Sequence, residues 1–199
     1  MELGYRFLHA FFYLLYTVLF SAKAYNVKNV PEKGGVIIAA NHLSNWDPML
    51  ISCFLNRCVG YMAKEELFKI PILGTMLKVL HSFPIHRGTF DRRAIRVAIN
   101  KLHTGECMGV FPEGHRSKDG KLQRAASGVA LIAAKSGVPV IPTAVINTNR
   151  IFKSFCPALK VIYGEPLYYK ENSIDKAALQ RFTNKIMQRI QDLLNSYKT

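Results

Sequence analysis

The chain has 199 residues, 49% of them hydrophobic, and carries 27 Lys and Arg against 13 Asp and Glu, a formal net charge of +14. That length suits one domain with a real core, and no Gly/Ser or Pro-rich linker, low-complexity tract or repeat divides it. The charge points to an anionic partner: nucleic acid, an anionic membrane surface or a phosphorylated substrate.

The first distinctive segment is "FLHAFFYLLYTVLF", Phe7 to Phe20, flanked by Arg6 and Lys23. A spanning helix needs about 20 apolar residues; stretching the run to Leu3–Ala22 reaches that length but admits Arg6 and His9, a poor span. Ala22-Lys23-Ala24 has the small-x-small form of a signal-peptide cleavage site, but Glu2 and the crowded aromatics oppose that reading. The expectation is a helix lying in or dipping into one leaflet, an appendage over residues 1–24, with one domain over residues 25–199. Aromatics such as Phe7, Phe11, Phe12, Tyr13 and Tyr16 suit the membrane interface.

"VIIAA", Val36–Ala40, is a continuous apolar run, the pattern of a strand covered on both faces. Asp47-Pro48 signals a helix start, Asp as N-cap and Pro at the first helical position, followed by "PMLISCFLNR". A second strand is expected over Val59–Ala63, then a helix in "KEELF" that Pro71 interrupts or restarts. A short strand lies within "HSFPIHRG". Asp91 caps an amphipathic helix with Ile95, Ala98, Ile99 and Leu102 at helical spacing, and Gly105 ends it. Cys107–Phe111 is a strand, "PEGHRSKDGKLQR" a polar loop, and "AASGVALIAAKSG" a small-residue helix. Val138–Ile146 is a strand whose two prolines argue for an edge or an interrupted ladder. A last strand lies within Leu159–Leu167, and Ser173–Tyr197 is a long amphipathic helix. This alternation predicts an α/β domain, a mixed and mainly parallel sheet with helices on both faces. In such sheets, sites gather at the carboxyl ends of strands. Three polar clusters follow strands in this way: "NHLSNWD", "HRG" and "PEGHRS".

In the first cluster, His42 and Asp47 are five residues apart, about 140° around a regular helix, so they cannot share a helical face. They can meet if the chain turns between them. Asp47 would then orient the imidazole and leave one ring nitrogen as a general base. The spacing is equally consistent with a helix cap beside an ordinary loop histidine. Ser44 lacks the G-x-S-x-G elbow of a serine nucleophile. The four cysteines, Cys53, Cys58, Cys107 and Cys156, have no C-x-x-C spacing. No zinc site is expected, and the thiols are expected to be reduced and mostly buried. A base without a protein nucleophile suggests activation of a substrate hydroxyl or of water. In "FPEGHRS", Glu113 and Arg116 bring opposite charges to one loop and Gly114 lets backbone approach a ligand, although a surface ion pair in a turn would look the same. "PIHRG" gives Arg87 a similar place.

"NHLSNWD" resembles the N-H-x-x-x-x-D block of the glycerolipid acyltransferases. "FPIHRG", "FPEGHRS" and "VIPTAV" resemble their second, third and fourth blocks, in the family's order, over roughly Val36 to Leu167. Within the family, the short bacterial 1-acylglycerol-3-phosphate acyltransferases are the most similar in pattern. The resemblance implies that His42 takes the proton from the free hydroxyl of lysophosphatidic acid. That oxygen then attacks an acyl thioester on coenzyme A or acyl carrier protein, giving phosphatidic acid. It implies that Asp47 orients His42, that no metal or other cofactor takes part, and that Arg87, Glu113, Gly114, Arg116 and Ser117 bind the acceptor, with Lys64 as a phosphate contact. Other lysophospholipids and glycerol 3-phosphate are alternative acceptors. His115 and His86 depart from the usual Thr and Asp of the third and second blocks. An anionic acceptor embedded in a bilayer fits the basic surface and the aromatic helix, so the expected place is the cytoplasmic face of the cell membrane, peripheral or monotopic. No helix-turn-helix or aromatic RNA-binding signature supports nucleic acid as the partner.

Overall fold

The computed structural model describes residues 3–85, 91–151, 153 and 157–197. Among these residues, seven strands form a single sheet, β1 (Lys23–Tyr25), β2 (Val36–Ala40), β3 (Val59–Lys64), β4 (Phe83–Ile85), β5 (Cys107–Val110), β6 (Val140–Ile146) and β7 (Lys160–Tyr163), in the order β1-β7-β6-β2-β5-β3-β4. Every neighbouring pair is parallel except β6 and β7. The expected mixed, mainly parallel α/β sheet is therefore the observed one.

The sheet is covered on both faces, and β2 explains why. Val36, Ile38 and Ala40 pack into one cluster, with Leu50, Ile51, Phe12 and Tyr16 from α1 (Leu3–Phe20) and α2 (Asp47–Ser52). Ile37 and Ala39 point the other way, into a cluster with α5 (Arg92–His103), α6 (Gly128–Ser136) and α7 (Lys176–Ser196). A strand buried on both sides has no polar positions to alternate, which is why its sequence is a continuous apolar run. Burying each of its isoleucines contributes about 1.5–3 kcal/mol. Two short helices, α3 (Glu65–Phe68) and α4 (Pro71–Val79), link β3 to β4, and Pro71 restarts the helix as expected. The Asp91 side chain accepts from the Ala94 N–H and caps α5.

Several expectations are corrected. The helix expected through Arg57 ends at Ser52. The buried Arg57 guanidinium donates to the carbonyls of Pro31, Gly34 and Gly105, which draws this segment toward the amino-terminal edge of the sheet. Asp47 is not the N-cap of α2; Trp46 occupies that position and makes no side-chain cap bond. β6 is not an edge strand, but its ladder is interrupted. Its antiparallel pairing with β7 covers Thr143–Ile146, stops at Pro142, and resumes as a single Val140–Leu167 bridge. Proline has no N–H to offer there, and its carbonyl accepts from Gly164 instead. Lys23–Tyr25, on either side of residue 24, form β1, an outer strand paired with β7.

α1 is long and apolar enough to cross a membrane. Its two faces differ in chemistry. Tyr5, Phe12 and Tyr16 are buried, within about 40° of one another at 100° per residue. The Tyr5 hydroxyl accepts from the Val59 N–H, and the Tyr16 hydroxyl donates to the Trp46 carbonyl. Leu3, Phe7, Phe11, Leu14 and Val18 occupy an arc of about 80° on the other side and are exposed.

Gly109 in β5 lies opposite Tyr61 in β3. A Cβ at Gly109 would stand 2.0 Å from the Tyr61 ring. The ring is held at its far end, where its hydroxyl donates to the Pro48 carbonyl at 3.2 Å. Gly109→Ala is therefore expected to destabilise the protein by about 1–3 kcal/mol through overpacking. The urea unfolding midpoint reads this; an unchanged midpoint would show that the ring yields.

Candidate active site

β2 delivers its carboxyl end to the centre of one sheet edge. Asn41 ends the strand by pairing through its side chain. Its amide donates to the Val145 carbonyl at 3.0 Å, and its side-chain oxygen accepts from the Val145 N–H at 2.8 Å. An amide side chain thus stands in for one more residue of ladder against β6 and leaves the main chain free to turn away at His42.

The turn brings His42 to Asp47. Nδ1 of His42 lies 2.8 Å from Oδ2 of Asp47. The same oxygen accepts from the backbone N–H of Leu43 at 2.6 Å and of Ser44 at 2.8 Å. Asp47 is fully buried, and its Oδ1 has no partner among the described residues. One carboxylate oxygen therefore gathers the imidazole and the two peptide groups that follow it. A carboxylate only accepts, so Nδ1 carries the proton and Nε2 presents a lone pair. His42 is 8% exposed and stacks on Phe111, ring centroids 3.9 Å apart at 15°. Phe111 in turn stacks on Tyr61 at 5.8 Å. Charge, hydrogen bonds and an aromatic floor together leave the ring one orientation.

The loop after β5 closes on the same histidine. The His42 N–H donates to Glu113 Oε1 at 2.9 Å, and the His42 carbonyl accepts from the Ser117 N–H at 2.8 Å. The first and third polar clusters thus meet. Arg87 and His86, in the second, lie outside the described residues. Glu113 is buried, and the burial raises its carboxyl above the usual range, against the pull of its two backbone hydrogen bonds. Gly114 has φ +72°, with open space where a Cβ would be, so the turn itself calls for glycine. Ser117 is buried and donates to Asp119, while Arg116 and His115 are exposed. Lys64, at the end of β3, pairs with Glu66 at 3.2 Å on an exposed surface. On the β6 side, a cavity of about 620 Å³ is lined by Asn41, Leu43, Asn147, Arg150 and Lys160, among others.

Two residues escaped the sequence reading. Asn41 stood in the quoted motif, but its partner Val145 is 104 positions away. Phe111, in sequence only the end of a strand, is the floor of the His42 ring. Among the described residues, Ser44, Cys53 and Cys107 are not set up as nucleophiles, and Cys156 lies outside the described residues. Ser44 Oγ accepts from the Trp46 N–H, and burial pushes the Cys53 and Cys107 thiols up to about 12. Asp47→Ala would leave three donors without their acceptor. The expected loss in unfolding free energy is about 1–3 kcal/mol by urea titration. A variant as stable as the parent would show that the loop holds itself.

The family model described as "Acyltransferase" matches residues 21–146. A 1-acyl-sn-glycerol-3-phosphate acyltransferase of Bacillus subtilis is 35% identical over 87% of this chain and 88% of its own. One from Borreliella burgdorferi is 30% identical over 63% of this chain and 51% of its own. The crystal structure of the 1-acyl-sn-glycerophosphate acyltransferase PlsC from Thermotoga maritima superimposes with a TM-score of 0.76 at 29% identity, covering 95% of this chain and 79% of that one. With the family's four blocks in order and its fold in place, the chain belongs to the acyltransferase family.

Proposed function

We propose that the protein is a membrane-surface O-acyltransferase that moves an acyl group from a thioester to the sn-2 hydroxyl of lysophosphatidic acid, forming phosphatidic acid. The observation that carries this is the His42–Asp47 pair, with Nδ1 committed to the carboxylate and Nε2 left as a base, in a chain whose Bacillus subtilis relative is named a 1-acyl-sn-glycerol-3-phosphate acyltransferase. Nε2 takes the hydroxyl proton as the oxygen attacks the thioester carbonyl. The tetrahedral intermediate collapses, the C–S bond breaks, and the imidazolium returns the proton to the departing thiolate. A thiolate is a good leaving group, so a base and correct placement suffice. The buried Asp47 carboxylate stabilises the imidazolium while it lasts. Coenzyme A and acyl carrier protein both supply such a thioester. Lys64, Arg87 and Arg116 are the cations assigned to the acceptor's phosphate.

His42→Ala is expected to lower the rate of acyl transfer by at least about 10³-fold with membrane binding unchanged. Undiminished thioester-dependent acylation by the purified variant would overturn the mechanism. A panel of acceptors with one donor, read by mass spectrometry of products, is expected to rank lysophosphatidic acid above other lysophospholipids and glycerol 3-phosphate. A different first choice would overturn the acceptor assignment alone.

The exposed face of α1 supports the membrane reading. Phe7, Phe11, Leu14 and Val18 lie on one side, with Ile70 and Ile72 exposed at the start of α4. Deleting the helix would also remove Tyr5, Phe12 and Tyr16 from the core, so the cleaner test changes the outer face only. Replacing Phe7, Phe11 and Leu14 by Ser is expected to release the protein from anionic vesicles while leaving its unfolding temperature within a few degrees. Full retention on vesicles would assign the attachment to other surfaces.

A further inference from the structure

Asp47 fixes the imidazole of His42 and the peptides that follow it, but it does not reach the histidine's own main-chain groups. Both of those belong to the loop after β5: the N–H donates to Glu113, and the carbonyl accepts from the Ser117 N–H. Glu113 is fully engaged in the exchange. Its Oε1 takes the His42 N–H at 2.9 Å, and its Oε2 takes the Gln123 N–H at 2.7 Å. Only 5% of the residue is exposed. Gln123 then closes the loop on itself. Its side-chain amide donates at 3.0 Å to Asp119 Oδ1, the oxygen that also accepts from Ser117 Oγ and the Lys121 N–H.

We infer that Glu113 is a positioning residue: it sets the main chain of the catalytic histidine rather than binding the acceptor itself. This differs from the glycerol-phosphate contact implied by the resemblance, and it rests on His42 being the base. The chemistry favours the inference. A carboxylate offered to a phosphorylated substrate would face like charge, whereas here both oxygens point at backbone donors within the protein. Placement is also what this reaction needs most. An error of about 1 Å between base and hydroxyl costs about 10²-fold in rate.

The two roles separate in steady-state kinetics. Glu113→Gln keeps the shape and one acceptor oxygen, but turns an NH2 group toward one of the two N–H donors. It is expected to lower kcat by about 10–100-fold, with the KM for lysophosphatidic acid within about threefold. Backbone amides of residues 42–44 are expected to exchange faster with deuterium than in the parent. Glu113→Asp keeps the charge but is too short to span both donors; it should show the same split and serves if the glutamine variant does not fold. A rise in acceptor KM larger than the fall in kcat, or unchanged exchange at residues 42–44, overturns the inference. His42→Ala, run in parallel, reports on the base assignment separately: activity retained there would remove the premise, whatever the Glu113 variants do.

Discussion

A single carboxylate oxygen, Oδ2 of Asp47, holds the site together. It draws in the Nδ1 of His42 and the N–H groups of Leu43 and Ser44. Burying a carboxylate completely costs several kcal/mol, and only well-placed donors offset that. The surrounding fold can be read as the means of supplying them. β2 is buried on both faces, so the position of its carboxyl end is fixed by the whole core. Asn41 ends that strand by completing the ladder with its side chain. Pro48 follows Asp47 inside the first turn of α2, where its missing N–H leaves no donor unpaired. The chain between strand and helix is then short enough that the carboxylate looks back on the turn it leaves.

Two further layers act on the same histidine. Below the ring, Phe111 and Tyr61 form a stack whose far end rests on Gly109, and Tyr61 is tied by its hydroxyl to the start of α2. Beside it, Glu113 and Ser117 hold its peptide groups. α1 joins the same structure, since Tyr16 donates to the carbonyl of Trp46, the residue before Asp47. One helix thus carries an apolar face outward and a hydrogen bond into the dyad's turn. The outer face of α1 is tied to the His42 turn through packed side chains.

Much of this was legible in the sequence wherever the signal is local. The run Val36–Ala40 reported its two-sided burial directly, Asp91 marked the start of α5, and Pro71 marked the restart of α4. His42 and Asp47 were visible as residues, but five positions of spacing could not separate a dyad from a cap. Asp47 proved to face backward onto Leu43 and Ser44 instead of forward into the helix, a choice made by the turn and the core around it. The long-range partners were not legible. Nothing near Lys23–Tyr25 announces that three residues will pair with β7. Pro142 correctly signalled a broken ladder, yet the strand is interior, because the break falls on the β7 side while the β2 side continues through Ala39 and Pro142. Glu113 looked like a ligand-facing charge; its backbone partners depend on how two loops meet.

Asp47 holds the neutral His42 ring with the proton on Nδ1 and the lone pair on Nε2. Nitrogen-15 NMR of histidine-labelled protein, with His42 assigned by comparison with His42→Ala, reads the tautomer directly. For the neutral ring, a protonated Nδ1 and an unprotonated Nε2 are expected, with that preference lost in Asp47→Ala. A neutral His42 protonated at Nε2 in the parent protein would contradict it.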